Sequence, residues 1–253
     1  MDTNETYIPE SVMAIFAHPD DIEFGCAGTV AKWVKEGARA AYVLVTSGDV
    51  GIAEPGMTKA RAAEIREAET LDAAKVAGVT DVTFFREPDC MVENTMALRK
   101  QVVAQIRRFR PEVVIAGDPT MVFTPTGRIN HPDHRAVAGA VVDAIFPSSG
   151  QPNLFQELED EGLFAHKVRK VYVQAYGSGD GLVDISDTIE TKIEALIQHK
   201  SQIKQIPQIR ERMMERASER AKDSDFQYAE AFRIIHLESD EVWEKQKERY
   251  RSG

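Results

Sequence analysis

Residues 12–23 read VMAIFAHPDDIE: an unbroken apolar run, Val12 to Ala17, passes directly into His18-Pro19-Asp20-Asp21, with Glu23 close behind. The run has the length and composition of a buried strand. The stretches that follow decide the fold class. Ala27 to Glu36 has a helical pattern that Gly37 stops, and Ala40 to Thr46 reads as a second strand. Thr58 to Val76 is a long Ala/Glu/Arg helix ended by Gly78, and Val82 to Phe85 is a third strand. Thr95 to Phe109 is helical, and Val113 to Ala116 is a fourth strand. Strand and helix alternating at this spacing predict βαβ units. The expected fold is therefore α/β, a Rossmann-like, mostly parallel sheet with helices on both faces.

The second half is less regular from about residue 147. A loop, Gly117 to Asn130, leads into a helix beginning near Pro132, where the missing N–H of proline does no harm. Pro147 to Ala165 carries Pro, Gly, Ser and acids and suggests a surface excursion that could form a lid. Val168 to Ala175 looks like a strand, Thr188 to Ile206 is helical before Pro207, and Ala231 to Leu237 could be a late strand. Gln208 to Asp225 has dense mixed charge, which fits either a solvated helix or a mobile loop. No repeat or low-complexity linker divides the chain, so residues 1–253 are read as one domain.

Composition bounds the function. The chain has 253 residues, 43% hydrophobic and 28% charged, with a formal net charge of −10. That acidic balance supplies no footprint for a phosphate backbone, so nucleic acid is not an expected partner. No apolar run approaches the roughly 18 residues of a membrane span. The opening MDTNETYIPES lacks the regions of a signal peptide. Cys26 and Cys90 cannot make a disulfide framework, and a reducing cytoplasm is the expected location.

Ligands of open α/β sheets bind beyond the carboxyl ends of the strands, where His18-Pro19-Asp20-Asp21 falls. An imidazole and two carboxylates near a core are costly unless a cation compensates them. A second cluster, Asn130-His131-Pro132-Asp133-His134, lies beyond another strand at a helix start. His131 and His134 could share one face of its first turn, and the helix dipole favours Asp133 there. Together the clusters offer three or more ligands plus a spare carboxylate and imidazole. Three protein ligands and an open position are the layout of a catalytic zinc site, although this donor set accepts several divalent ions. Each cluster alone could equally be capping and turn chemistry. Asp49 could contact a substrate or shape a Gly-rich turn. Gly25-x-x-Gly28 lacks the further glycine of a dinucleotide fingerprint, since Glu23 holds that place. His166, His199 and His236 read as structural, Cys26 as buried, and Arg107, Arg108 and Arg110 as a solvated helix end.

Ala17-His18-Pro19-Asp20-Asp21, then Gly25 and Gly28, then His131-Pro132-Asp133-His134 closely resemble the LmbE/PIG-L family of metal-dependent N-deacetylases. Thr46-Ser47-Gly48-Asp49, Arg66 with Glu69, His199-Lys200-Ser201-Gln202 and Tyr228-Ala229-Glu230-Ala231-Phe232 extend the resemblance from about Val12 to Ile235. It implies an LmbE-like fold with one divalent metal ion, Zn2+ in the first instance, at the carboxyl ends of the strands. By similarity His18, Asp21 and His134 are the metal ligands, Asp20 the general base and His131 the group facing the oxyanion. Residue chemistry alone does not decide which aspartate does which job. Asp133 could orient one ring or only cap the helix. Arg66 matches a family arginine that holds substrate hydroxyls; without the resemblance it reads as a pair with Glu67 or Glu69.

The implied activity is hydrolysis of an N-acetyl or other N-acyl group from a small molecule containing an amino sugar. Alternatives are an amidase of a thiol or sugar conjugate, or a metal-containing binding protein without catalysis. A two-metal phosphoesterase would need further bridging carboxylates, for which Asp118 is the candidate. A homo-oligomer is expected from the resemblance.

Overall fold

The computed structural model describes residues 7–175 and 179–251; most of the polar opening stretch, residues 1–6, lies outside them. Five parallel strands form the body of one sheet: β1 (Ser11–Phe16), β2 (Arg39–Thr46), β3 (Asp81–Glu87), β4 (Val113–Ala116) and β5 (Lys170–Gln174). Two further strands, β6 (Gly181–Asp184) and β7 (Ala229–His236), extend it; β7 runs antiparallel to both β5 and β6. The spatial order is β3-β2-β1-β4-β5-β7-β6. The sequence did not signal β6, which is only four residues long.

Two apolar layers explain why the central strands read as unbroken apolar runs. Val12, Ala14 and Phe16 pack with residues of α2 (Ala27–Lys35), α3 (Lys59–Val76), α7 (Ile189–Leu196) and α8 (Ile206–Ala221). Met13 and Ile15 pack with α4 (Met96–Phe109) and α5 (Pro132–Ile145). Each fully buried Val or Ile contributes roughly 1.5–3 kcal/mol, so reversing a strand's alternation would be prohibitive. Thr58 and Thr95 start α3 and α4 by accepting hydrogen bonds from the N–H groups of Arg61 and Leu98. Among the described residues no helix is long and apolar enough to cross a membrane.

The helix expected over Thr188–Ile206 is shorter than its pattern. α7 ends at Leu196, and the chain then turns inward and buries His199. Pro207 does not stop a helix but lies in the first turn of α8, where proline is tolerated. The charged stretch after it is thus a helix, and Met213, Ala217 and Ala221, four residues apart, form its buried seam.

Two further expectations are corrected. Arg107 is not a solvated helix end: it is buried and donates to the carbonyls of Ser148, Ser149, Gln151 and Leu154. It thereby fastens the Pro147–Ala165 excursion, with its short helix α6 (Glu157–Asp160), to the C-terminal turn of α4. His166 adds a hydrogen bond from Nε2 to the Pro111 carbonyl at 2.8 Å, just before β4 begins. The excursion therefore sits at the amino ends of the strands. It cannot act as a lid over their carboxyl ends.

A buried ion pair fixes α2 against α7. Glu230 on β7 accepts from the N–H groups of Gly28 at 3.1 Å and Thr29 at 2.8 Å, and pairs with Lys192. A Cβ at Gly28 would come within 3.1 Å of the Glu230 carboxylate, so glycine permits the close approach. Lys192→Met removes one partner of a buried pair and is expected to lower stability by about 3–5 kcal/mol in urea unfolding. Adding Glu230→Gln should recover part of that loss; a loss under about 1 kcal/mol would show that the pair is not needed.

Burial pushes the His166 imidazole down to about 4. Between about pH 6.5 and 4 the unfolded chain then binds more protons than the folded one, so stability falls as pH falls through that window, by up to about 3 kcal/mol. His166→Gln should flatten this part of the stability–pH curve. An unchanged slope between pH 7 and 5 would refute the assignment.

Candidate metal centre

The connections at β1 and β4 lead to opposite sides of the sheet, and the carboxyl ends of β1–β4 converge at this switch point. β1 delivers His18–Asp21, β2 delivers Ser47–Asp49, and β3 delivers Asp89 and Cys90. β4 leads through residues 117–130 to His131, Asp133 and His134 at the start of α5. Asp20 has a φ of 86°, an uncommon left-handed conformation for a residue with a side chain. That reversal starts the five-residue helix α1 (Asp21–Gly25) at once and gives Asp20 and Asp21 different neighbours.

His18 is the hub. Its Nδ1 lies 3.1 Å from His134 Nε2 and 3.4 Å from an Asp21 oxygen, while the other Asp21 oxygen lies 3.1 Å from His134 Nε2. Ligand atoms of the three side chains fall within 4.8 Å of one another. On its far edge His18 Nε2 is 3.1 Å from Asp89 Oδ1 and 3.4 Å from Asp133 Oδ2. His134 turns its other nitrogen to Asn130 Oδ1 at 3.2 Å. A nitrogen pair with a carboxylate facing one point, each ring held from behind by an oxygen, is the arrangement of a metal ligand set with its supporting shell.

The electrostatics fit a cation. Burial opposes charge on His18, yet its hydrogen bonds to Asp133, Asp21 and Asp89 push it up to about 12. Against the same burial, His134 and His18 hold Asp21 well below the usual carboxylate range. Asp89, also partly buried, is lowered to about 2 through His18. Burial and the charge of Asp21 push the Asp20 carboxyl up to about 7, with Arg66 opposing. Asp21, Asp89 and Asp133 crowd carboxylate oxygens around His18 and His134, a setting that favours a divalent ion.

The remaining residues named from the sequence take distinct places. His131 caps α5 by accepting the Asp133 N–H at Nδ1, 3.3 Å, so the proton of its neutral form resides on Nε2. Burial, then the charge of His18, push its pKa down. Asp133 orients the ring of His18 rather than either histidine beside it in sequence, and it accepts from the N–H of Cys90 at 2.7 Å. Arg66 is buried and pairs with neither Glu67 nor Glu69. Its Nη2 donates to the Pro19 carbonyl at 2.7 Å and to Asp20 at 3.2 Å. Asp49 accepts the Asp89 N–H at 3.0 Å, with Lys59 beside it at 3.6 Å. Asp118 folds a turn onto Thr120. His199 does have a carboxylate partner, Glu23, at 3.1 Å, with both groups buried. Asp89 went unnoticed in the sequence; its signal was an acid immediately beyond the carboxyl end of β3.

This geometry describes an α/β domain with a group of candidate metal ligands at the switch point of a Rossmann-like sheet. Residues 13–145 match the PIG-L family, GlcNAc-PI de-N-acetylase, and the chain belongs to that family, whose members are metal-dependent deacetylases. The chain is 30% identical over 193 residues to diacetylchitobiose deacetylase of Thermococcus kodakarensis, covering 76% of this chain and 70% of that protein. It is 25% identical to the probable N-acetyl-alpha-D-glucosaminyl L-malate deacetylase 2 of Bacillus cereus, covering 92% and 96%. The crystal structure of N,N'-diacetylchitobiose deacetylase from Pyrococcus horikoshii with its inhibitor MPG superposes with a TM-score of 0.82. It is 26% identical and covers 90% of this chain and 84% of that one.

Asp89→Asn keeps the shape of a residue that holds His18 from behind and should weaken Zn2+ binding by about 10–100-fold. Competition with a chromophoric chelator measures this. An affinity equal to wild type would show that Asp89 does not support the ring.

Proposed function

We propose that the chain is a zinc-dependent hydrolase that removes an N-acetyl group from a small molecule containing an amino sugar. The observation that carries the reading is the meeting of His18 Nδ1, Asp21 and His134 Nε2 at one point, with a second, separately held carboxylate, Asp20, alongside. His18, Asp21 and His134 would hold the ion. Two imidazole nitrogens and one carboxylate with an open position suit zinc. When bound, the ion supplies the positive charge that polarises an amide carbonyl and acidifies a water.

The chain's own groups supply the rest. Asp20, the carboxylate beside the three ligands and not one of them, would accept a proton from the attacking water. Arg66 keeps that carboxylate in place through Pro19 and Asp20 itself. His131, with its proton on Nε2, faces the same space and is placed to donate toward the oxyanion and the leaving amine. Asp133 links the two halves of the site by holding His18 while its N–H fixes the His131 tautomer. In this reading Arg66 and Asp49 act on the substrate through Asp20 and Asp89.

A role as a metal-containing binding protein explains the ligand set but gives no reason for Asp20 to be held beside it by a buried arginine. We further propose that the chain acts as one domain and as a homo-oligomer. Exposed Phe123, Ile129 and Met91 on the segments around the site support self-association. Free Cys26 and Cys90 fit a cytoplasmic location.

Asp20→Asn should lower kcat for release of amine from N-acetylated amino sugars by about 10²–10⁴-fold while zinc remains bound. Measuring bound metal beside turnover separates the roles. Turnover within tenfold of wild type would remove Asp20 as the base.

A further inference from the structure

A second group of metal-ligating side chains lies on the far edge of His18, outside the set that meets at its Nδ1. Asp89, Cys90 and His131 each bring one ligand atom, and the three atoms fall within 4.8 Å of one another. Cys90 Sγ is 3.5 Å from Asp89 Oδ1 and 3.6 Å from His131 Nε2. Zinc bonds of about 2.3 Å to sulfur and about 2.0–2.2 Å to nitrogen or oxygen give tetrahedral edges of about 3.5 Å. The sulfur therefore already stands from both partners at the spacing a shared ion would impose. None of the three is His18, Asp21 or His134, so the two groups have no ligand in common.

The backbone that carries these ligands is fixed from outside the group. The Asp89 N–H donates to Asp49 at 3.0 Å and the Cys90 N–H to Asp133 at 2.7 Å. Cys90 itself has a φ of 67°, a left-handed conformation uncommon for a residue with a side chain. Its thiol is exposed, so an ion reaches it directly from solvent. One thiolate, one imidazole and one carboxylate suit a borderline or soft divalent ion such as Zn2+, Co2+ or Cd2+, whereas Mg2+ and Mn2+ prefer oxygen ligands. On binding, the thiol proton passes to solvent. The ring of His131 must also change tautomer. Its Nδ1 accepts the Asp133 N–H at 3.3 Å, which leaves the proton of the neutral ring on Nε2. An ion on Nε2 sends that proton to Nδ1 and ends the cap on α5, so this ion binds more weakly than one at His18, Asp21 and His134.

We propose that Asp89, Cys90 and His131 form a second, thiolate-containing site for a thiophilic divalent ion, and that its occupation takes the Nε2 of His131 out of use. Without a bridging ligand the two ions are not a pair sharing one reaction, so the second ion blocks turnover instead of assisting it. The existence of the site is independent of the deacetylase reading. Its effect on turnover rests on that reading, through the place of His131 facing the oxyanion.

Titration of the metal-free protein with Co2+ tests binding apart from turnover, because a cobalt–thiolate bond gives a charge-transfer band in the near ultraviolet. The first equivalent should bind without that band, and the band should grow with the second. Cys90→Ser should abolish it while the first equivalent still binds. Cys26→Ala, which leaves Cys90 as the one thiol, should keep it. His131→Gln removes the nitrogen ligand and should weaken the second equivalent by roughly tenfold or more. In parallel, release of amine from N-acetylglucosamine should fall as Zn2+ rises beyond one equivalent, and Cys90→Ser should need roughly tenfold more Zn2+, or above, for the same fall. A band that appears with the first equivalent, never appears, or survives in Cys90→Ser overturns the second site. A thiolate-bound second ion that leaves turnover unchanged overturns the claim on His131. The band with its expected response to Cys90→Ser and His131→Gln, but no turnover of any N-acetylated amino sugar at any loading, upholds the site and removes the deacetylase reading instead.

Discussion

The site depends on one constraint: His18 must be held on both edges at once. Its Nδ1 faces Asp21 and His134, and its Nε2 faces Asp89 and Asp133. Carboxylates this close repel one another, and the fold meets that repulsion with fixed donors. The His18 N–H donates to Asp21 at 2.9 Å, the N–H groups of Cys90 and Val92 to Asp133, and the Arg66 guanidinium to Asp20. Each donor comes from a different strand-end connection from the acid it serves, except at Asp21. The acids can therefore be gathered only when the parallel strands are already side by side. A bound cation would remove the remaining repulsion, which makes metal affinity and fold stability parts of one equilibrium.

Behind the centre, a second layer of buried charge locks the element that carries Asp20 and Asp21. α1 has only five residues and cannot hold its direction by its own hydrogen bonds. Glu23 in its first turn pairs with His199 from the turn after α7, and Lys192 on α7 donates to the Phe24 carbonyl at 3.2 Å while pairing with Glu230. These pairs offset part of the cost of burying the groups and tie α1 to α7 and β7. Glu23 Oε1 and His199 Nδ1 are buried without a hydrogen-bond partner, so part of the burial cost stays uncompensated.

The parallel body of the fold was legible because its strands, buried on both faces, leave apolar runs bounded by glycine and threonine. His18 and Asp21 stood out because polar groups directly after such a run have no packing role to explain them, and His131 and His134 because they cluster with Asp133 at a helix start. Asp89 did not stand out, since a lone acid after Glu87-Pro88 looks like any turn. The partner of His199 was equally hidden, because Glu23 is 176 positions away and periodicity records only near neighbours. Pro207 misled for a local reason, as the same residue that ends one helix is tolerated in the first turn of the next.

Arg66 shows most plainly how chemistry and position separate. A guanidinium on a long Ala/Glu helix reads as a surface pair or, by resemblance, as a hand for substrate hydroxyls. Here it is 4% exposed, and one nitrogen serves both the Pro19 carbonyl and the Asp20 carboxylate. Gly48, at a φ of 62°, clears its path: a Cβ there would lie 2.1 Å from the arginine Nη1. The left-handed backbone of Asp20 needs an external restraint of this kind, since a non-glycine residue there is strained and relaxes if released. A bidentate-capable cation that is always charged can restrain both the backbone and the carboxylate of the same residue. A lysine ammonium has donors enough for both but carries them on a flexible stem, without the planar guanidinium that fixes their direction.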